Sequence, residues 1–144
     1  MDHQSSDWKE SAEAEGVRYR IRCMSFGRRI ELMKRVGDSL ARLEFLQAGD
    51  STAESTAEAA LLGGAIDREF LEWGLEAVEG LAIDGKAAGP AELIESGPEL
   101  LVHEALRAVR GAAGLSEQER KNSESLSTSP IAARPSGSAT NAAD

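Results

Sequence analysis

The sequence predicts a small, mainly α-helical domain with a short N-terminal strand and a small β-hairpin, set between polar ends. Three observations carry this prediction. Apolar residues recur at steps of three and four over two long stretches, Phe26 to Gln47 and Leu62 to Ala77, which is the spacing of one helix face. Residues 17–23 alternate strictly, Val17, Tyr19, Ile21 and Cys23 against Arg18, Arg20 and Arg22, as a half-buried strand does. Asp84-Gly85 lies between two short apolar runs, and that dipeptide favours the tight turn of a hairpin because both central residues need positive φ.

Residues 1–16 hold Asp2, Asp7, Glu10, Glu13 and Glu15 against Lys9 alone, with Met1 and Trp8 the only large apolar side chains. They are expected to form a disordered acidic arm. The strand of residues 17–23 follows, with a strongly basic face. Ser25 then stands where a helix N-cap belongs, ahead of Phe26, Ile30, Met33, Val36 or Gly37, Leu40 and Leu43. This first helix should run from Phe26 to Gln47 and stop at Gly49 in the left-handed region. Ser51-x-x-Glu54 and Ser55-x-x-Glu58 are overlapping capping boxes for a second helix, whose apolar face reads Leu62, Ile66, Phe70, Trp73 and Ala77. It should end near Val78 to Gly80. After the hairpin at Leu81 to Ala87, Gly89-Pro90 and Gly97-Pro98 bracket a turn or two of helix at Ala91 to Glu95. A third long helix is expected from Pro98 through Leu101, Ala105, Leu106 and Val109, closing between Gly111 and Gly114. Ser116-x-x-Glu119 caps one last short turn. Residues 122–144 are largely Ser, Ala, Thr, Asn, Gly and Pro and cannot offset their ordering entropy, so they are expected to be a disordered tail. One domain at residues 17–121 remains.

Composition narrows function more than it names it. With 144 residues, 41% of them hydrophobic but only 4% aromatic, the chain can fill one modest aliphatic core. A formal charge of −9 disfavours general binding to nucleic acid or anionic membranes. One cysteine, Cys23, permits no internal disulfide and suits a reducing compartment. No apolar run reaches a membrane span of roughly 18 residues, and the opening residues lack a signal peptide's order, so the expected location is the cytoplasm.

Charge is laid out unevenly. Between Val17 and Gln47 eight basic residues (Arg18, Arg20, Arg22, Arg28, Arg29, Lys34, Arg35, Arg42) face three acids, whereas Ala48 to Glu119 holds fifteen acids and four bases. Internal neutralisation explains this if the acidic second helix lies beside the basic first one. A basic face for an acidic partner protein is the alternative. Nucleic acid is disfavoured, because Tyr19 and Phe26 are the only aromatics near the cations.

Chemistry finds few groups to use. His3 lies in the arm, and His103 reads as a half-exposed helix residue. Cys23 closes an alternating strand without a second cysteine nearby, the pattern of a structural thiol. Two histidines and one thiol give no metal-ligand spacing, and no glycine pair follows a strand as a phosphate loop would. Carboxylate pairs such as Glu69 with Glu72 fit a solvated helix face. No enzyme activity, cofactor or metal is expected.

Three stretches, Arg22-Cys-Met-Ser-Phe-Gly-Arg-Arg-Ile-Glu-Leu-Met-Lys-Arg-Val36, Glu72-Trp-Gly-Leu-Glu-Ala-Val-Glu-Gly-Leu-Ala-Ile-Asp-Gly85 and Gly114-Leu-Ser-Glu-Gln-Glu-Arg-Lys-Asn-Ser123, occur in an order and spacing that resembles tail assembly chaperones of phages and prophages. That resemblance covers about residues 17–123, and its motifs are structural. It implies a protein that binds the long helical tape-measure protein, keeps it soluble and helps recruit tail-tube subunits, without turnover. The expected client face is Leu62, Ile66, Phe70 and Trp73, helped by Ile30, Met33 and Leu40. At helical spacing on an apolar stripe, Phe70 and Trp73 read first as core residues, with the interface role as the alternative. Two other roles stay open. One is an adaptor retained in a phage-like particle. The other is a small bacterial protein of unknown function with a nucleic-acid-binding face of Arg18, Arg20, Arg22, Arg28 and Arg29. Self-association into a homo-oligomer, and the strand that pairs with residues 17–23, are also open.

Overall fold

The computed structural model of the chain describes residues 1–114. The Ser116 capping box and the tail at 122–144 lie outside the described residues. Nine elements follow in order: β1 (Ser6–Glu10), β2 (Arg18–Arg22), α1 (Phe26–Ala48), α2 (Ala53–Gly74), β3 (Leu75–Glu79), β4 (Ala82–Ile83), β5 (Lys86–Ala87), α3 (Pro90–Ser96) and α4 (Glu99–Ala112). The mainly helical class holds, with two small antiparallel sheets, β1-β2-β3 and β4-β5.

The expected acidic arm is instead partly a strand. β1 pairs antiparallel with β2, Trp8 opposite Arg20 and Lys9 opposite Tyr19. Few apolar residues are needed here, because β2 supplies a free hydrogen-bonding edge and a guanidinium surface for the one indole. Arg18 lies 4.2 Å and Arg20 5.4 Å from the Trp8 ring centre, a cation–π arrangement. Beyond β1, Glu104 of α4 accepts from the Ser11 hydroxyl and the Ala12 N–H, both at 2.6 Å.

α1 starts as expected, with the Ser25 hydroxyl accepting from the Arg28 N–H. Gly49 ends it in extended backbone, φ −86°, rather than in the left-handed region. Neither expected serine box caps α2. Thr52 does, its hydroxyl accepting from the Ser55 N–H at 3.0 Å while the Ser55 hydroxyl accepts from the Thr52 N–H at 3.0 Å, because the cap must immediately precede the first helical residue, Ala53.

α2 also stops earlier than expected, at Gly74. Leu75 to Glu79, a sequence with good helix formers, joins the sheet and supplies the partner that β2 needs. Tertiary pairing overrides propensity here. A register shift between Arg20 and Ile21 leaves Glu76 as the extra residue on β3, so Leu75 pairs with Ile21 and Val78 with Tyr19 while all stay on the inner face. The absent side chain at Gly74 lets α4 approach, since a Cβ there would overlap the Val109 isopropyl group. The hairpin takes the expected turn, with Asp84 at φ 51° and Gly85 at φ 79°.

The core lies between the inner sheet face and the helices. Val17, Tyr19, Ile21 and Leu75 meet Ile66, Phe70, Leu71 and Trp73 of α2, Leu93 of α3, and Leu101, Ala105, Leu106 and Val109 of α4. From α1 only Leu32 and Val36 are buried. Phe26, Ile30 and Met33, which open the apolar period of this helix, are exposed.

Candidate protein-docking surface

α1 and α2 form an antiparallel pair, registered by ion pairs of Arg35 with Glu69 (3.2 Å) and Arg42 with Glu58 (2.9 Å). Around α1, Leu32 and Val36 point at α2 and the core. At about 100° per residue, Arg35 falls on one flank of Val36 and Gly37 on the other. Phe26, Ile30, Met33, Gly37 and Leu40 therefore share the second flank, at spacings of four, three, four and three. Phe26 is 85% exposed, Met33 52% and Ile30 44%, with Leu40 half-buried beyond them. Glu44 is the next residue in that row, so the stripe carries no charge over four turns.

Near the helix bases, α4 packs on α2, and its end reaches α1 through Arg29. Arg110 of α4 pairs with Asp67 at 2.5 Å and lies over the Phe70 ring, 4.4 Å from its centre. Arg29 donates to the Ala113 carbonyl at 3.2 Å. Farther out the helix pair stands alone. α1 buries nothing after Val36, and α2 buries nothing before Ile66. Leu40, Leu43 and Leu62 are only partly covered, and Phe45 and Leu61 are 69% and 78% exposed. A two-helix arm with an uncharged apolar row along one flank can accept a third helix in the surface between its members.

The expected client face is thereby divided. Ile66, Phe70 and Trp73 are at most 2% exposed and belong to the core, which corrects their assignment to a docking surface. Leu62 is partly buried against that core. Ile30, Met33 and Leu40 lie together on the open flank of α1. Phe26, in the same row by spacing, is its most exposed residue.

The five arginines of the expected basic face are engaged within the chain. Arg18 donates through Nε to Glu79 at 2.8 Å. Arg20 Nε and Arg22 Nε flank the Glu76 carboxylate at 3.2 and 3.6 Å, close enough for ion pairing although neither N–H is aligned to donate. Glu76 also accepts from the Ser6 hydroxyl. Arg28 Nη1 donates to the Cys23 carbonyl at 2.8 Å and to the Ser5 carbonyl at 2.5 Å. Arg29 holds the end of α4. These cations join β1, β2, β3, α1 and α4 to one another, and no free basic stripe results.

Elsewhere, His103 is exposed beside Glu99, with 3.5 Å between Nε2 and the carboxylate. Cys23 is half-buried just past β2. Tyr19 is the one strongly perturbed titrating group on the sheet. Burial, with a smaller push from the Glu104 carboxylate, raises its phenol from 10 to about 12 against the opposing Arg107 charge. That keeps it neutral as a core member. Among the described residues no three His, Cys, Asp or Glu side chains converge as metal ligands, and no helix is long and apolar enough to cross a membrane.

Comparison with known proteins gives no further guide: no protein-family model, curated protein or solved structure matches the chain.

Proposed function

We propose that this chain is a non-catalytic assembly chaperone that holds an apolar helix of a partner polypeptide against the open flank of α1. The observation that supports it most is the uncharged row Phe26, Ile30, Met33, Gly37 and Leu40, its first three side chains exposed and Leu40 half-buried, on a helix whose other apolar row, Leu32 and Val36, is buried. Solvent exposure of such a row costs a monomer stability it does not recover, and covering it with a partner helix removes apolar area from water. The bare outer half of the α1–α2 arm adds to this reading, because Leu40, Leu43 and Leu62 gain full burial only from a further layer.

The client proposed from the sequence resemblance is the tape-measure protein of a phage-like tail, a long helical chain with extensive apolar surface. Engagement of Arg18, Arg20, Arg22, Arg28 and Arg29 within the fold leaves the nucleic-acid reading without a specific supporting observation. Co-expression with the candidate tape-measure protein tests the proposal. The client should move to the soluble fraction with the wild-type chain and stay insoluble with a chain altered at Phe26, Ile30 and Met33. Equal solubility with and without the wild-type chain would exclude the role.

A further inference from the structure

We infer that two copies of this chain join through β1, antiparallel about Trp8, so that their three-stranded sheets become one continuous sheet. The hydrogen-bond parity of β1 sets this register. Cys23 N–H donates to the Ser5 carbonyl at 3.0 Å, and Ser11 N–H donates to the Val17 carbonyl at 2.9 Å. Bonded residues alternate along an antiparallel ladder, so Asp7 and Lys9 also bond toward β2. Ser6, Trp8 and Glu10 turn their N–H and C=O groups to the outer edge. Among the described elements β1 packs extensively on β2 alone, which leaves that edge open. A two-fold axis at Trp8 sets Trp8 opposite the second copy's Trp8 and Ser6 opposite the second copy's Glu10. Every outward group of β1 is then paired.

Charge selects a copy of this chain over a foreign strand. Asp7 is directly opposite Ile21, and Lys9 opposite Tyr19, so both charged side chains stand on the inner sheet face. Inward charges on an edge strand normally repel partners. In the single chain the two satisfy each other, 3.1 Å apart and about half exposed. In the proposed register Asp7 faces the second copy's Lys9, and Lys9 faces the second copy's Asp7. An apolar or uniformly charged strand lacks that match. Under the inner face at this edge lies a cleft lined by Asp7, Lys9, Ile21 and Cys23 and by Ala108 and Ala112 of α4, which leaves room beside β1 for the second copy's Asp7 and Lys9 side chains.

Sedimentation equilibrium on the full chain, from about 5 to 500 μM, tests this inference with Asp7→Lys and Lys9→Asp. Wild type should self-associate as a dimer. Each single variant should keep its circular dichroism spectrum but raise the dissociation constant at least about tenfold, because two like-charge pairs replace two opposite ones. An equimolar mixture of the two variants should restore a dimer, as the all-basic edge of one meets the all-acidic edge of the other. The double variant, with both charges exchanged, should also recover. A monomeric wild type over the whole range would overturn the inference. So would a dimer indifferent to both single variants, which would place the contact elsewhere, the α1 row included, or a mixture that fails to associate.

Discussion

Replacing Phe26 by Ser and Ile30 and Met33 by Gln, all in one chain, separates a docking surface from a core. Their exposures of 85%, 44% and 52% leave roughly a sixth, a half and a half of each side chain covered. Full burial of such side chains is worth about 1.5–3 kcal/mol each, so the three together lose at most about 3.5 kcal/mol. The glutamine stems keep part of that. By contrast Phe70, 0% exposed, should lose about 3–5 kcal/mol on change to alanine alone. Urea unfolding followed by circular dichroism measures both, with the slope confirming a two-state transition. The triple variant should shift the midpoint less than Phe70→Ala does. A triple variant that loses more than about 4 kcal/mol, or unfolds in buffer, would show that the row is core and refute the assignment.

Two further outcomes follow from packing and titration. Gly74→Ala should destabilise by about 1–3 kcal/mol, since its Cβ would meet the Val109 side chain of α4, and thermal unfolding reads the loss. Tyr19 is the single tyrosine, so absorbance at 295 nm reports it alone. The midpoint should lie near pH 12 in the folded chain and near 10 in denaturant. Its folded pKa is raised, so its stabilisation, roughly 2–3 kcal/mol, is complete below pH 10 and disappears as pH rises through 12. A folded midpoint near 10 would contradict its burial.

The helical parts were the most legible from sequence, and the sheet the least. Ser25 and the apolar period placed α1 within a residue of its observed limits. Which of its two apolar rows is buried was not readable. Phe26, Ile30, Met33 and Gly37 make one helical row, and Leu32, Val36 and Leu43 another about a quarter-turn away, and only the position of α2 and the sheet decides between them. β1 escaped notice because its stability comes from a neighbour's backbone edge and two guanidinium groups, not from its own apolar content. β3 was hidden inside an apparent helix for a similar reason, its Leu-Glu-Ala run being recruited by β2. Uneven charge along the chain was plain in the sequence. Its resolution into Arg18–Glu79, Arg35–Glu69 and Arg42–Glu58 depended on contacts between distant residues.

Methyl NMR of the chain with and without its helical client tests the docking claim most directly, because Ile30 and Ile66 serve as probe and control in one spectrum. The Ile30 δ1 and Met33 ε methyl signals should shift or broaden as client is added, while the Ile66 signal, 2% exposed in the core, stays in place. Unmoved Ile30 and Met33 signals in the presence of bound client would contradict the account.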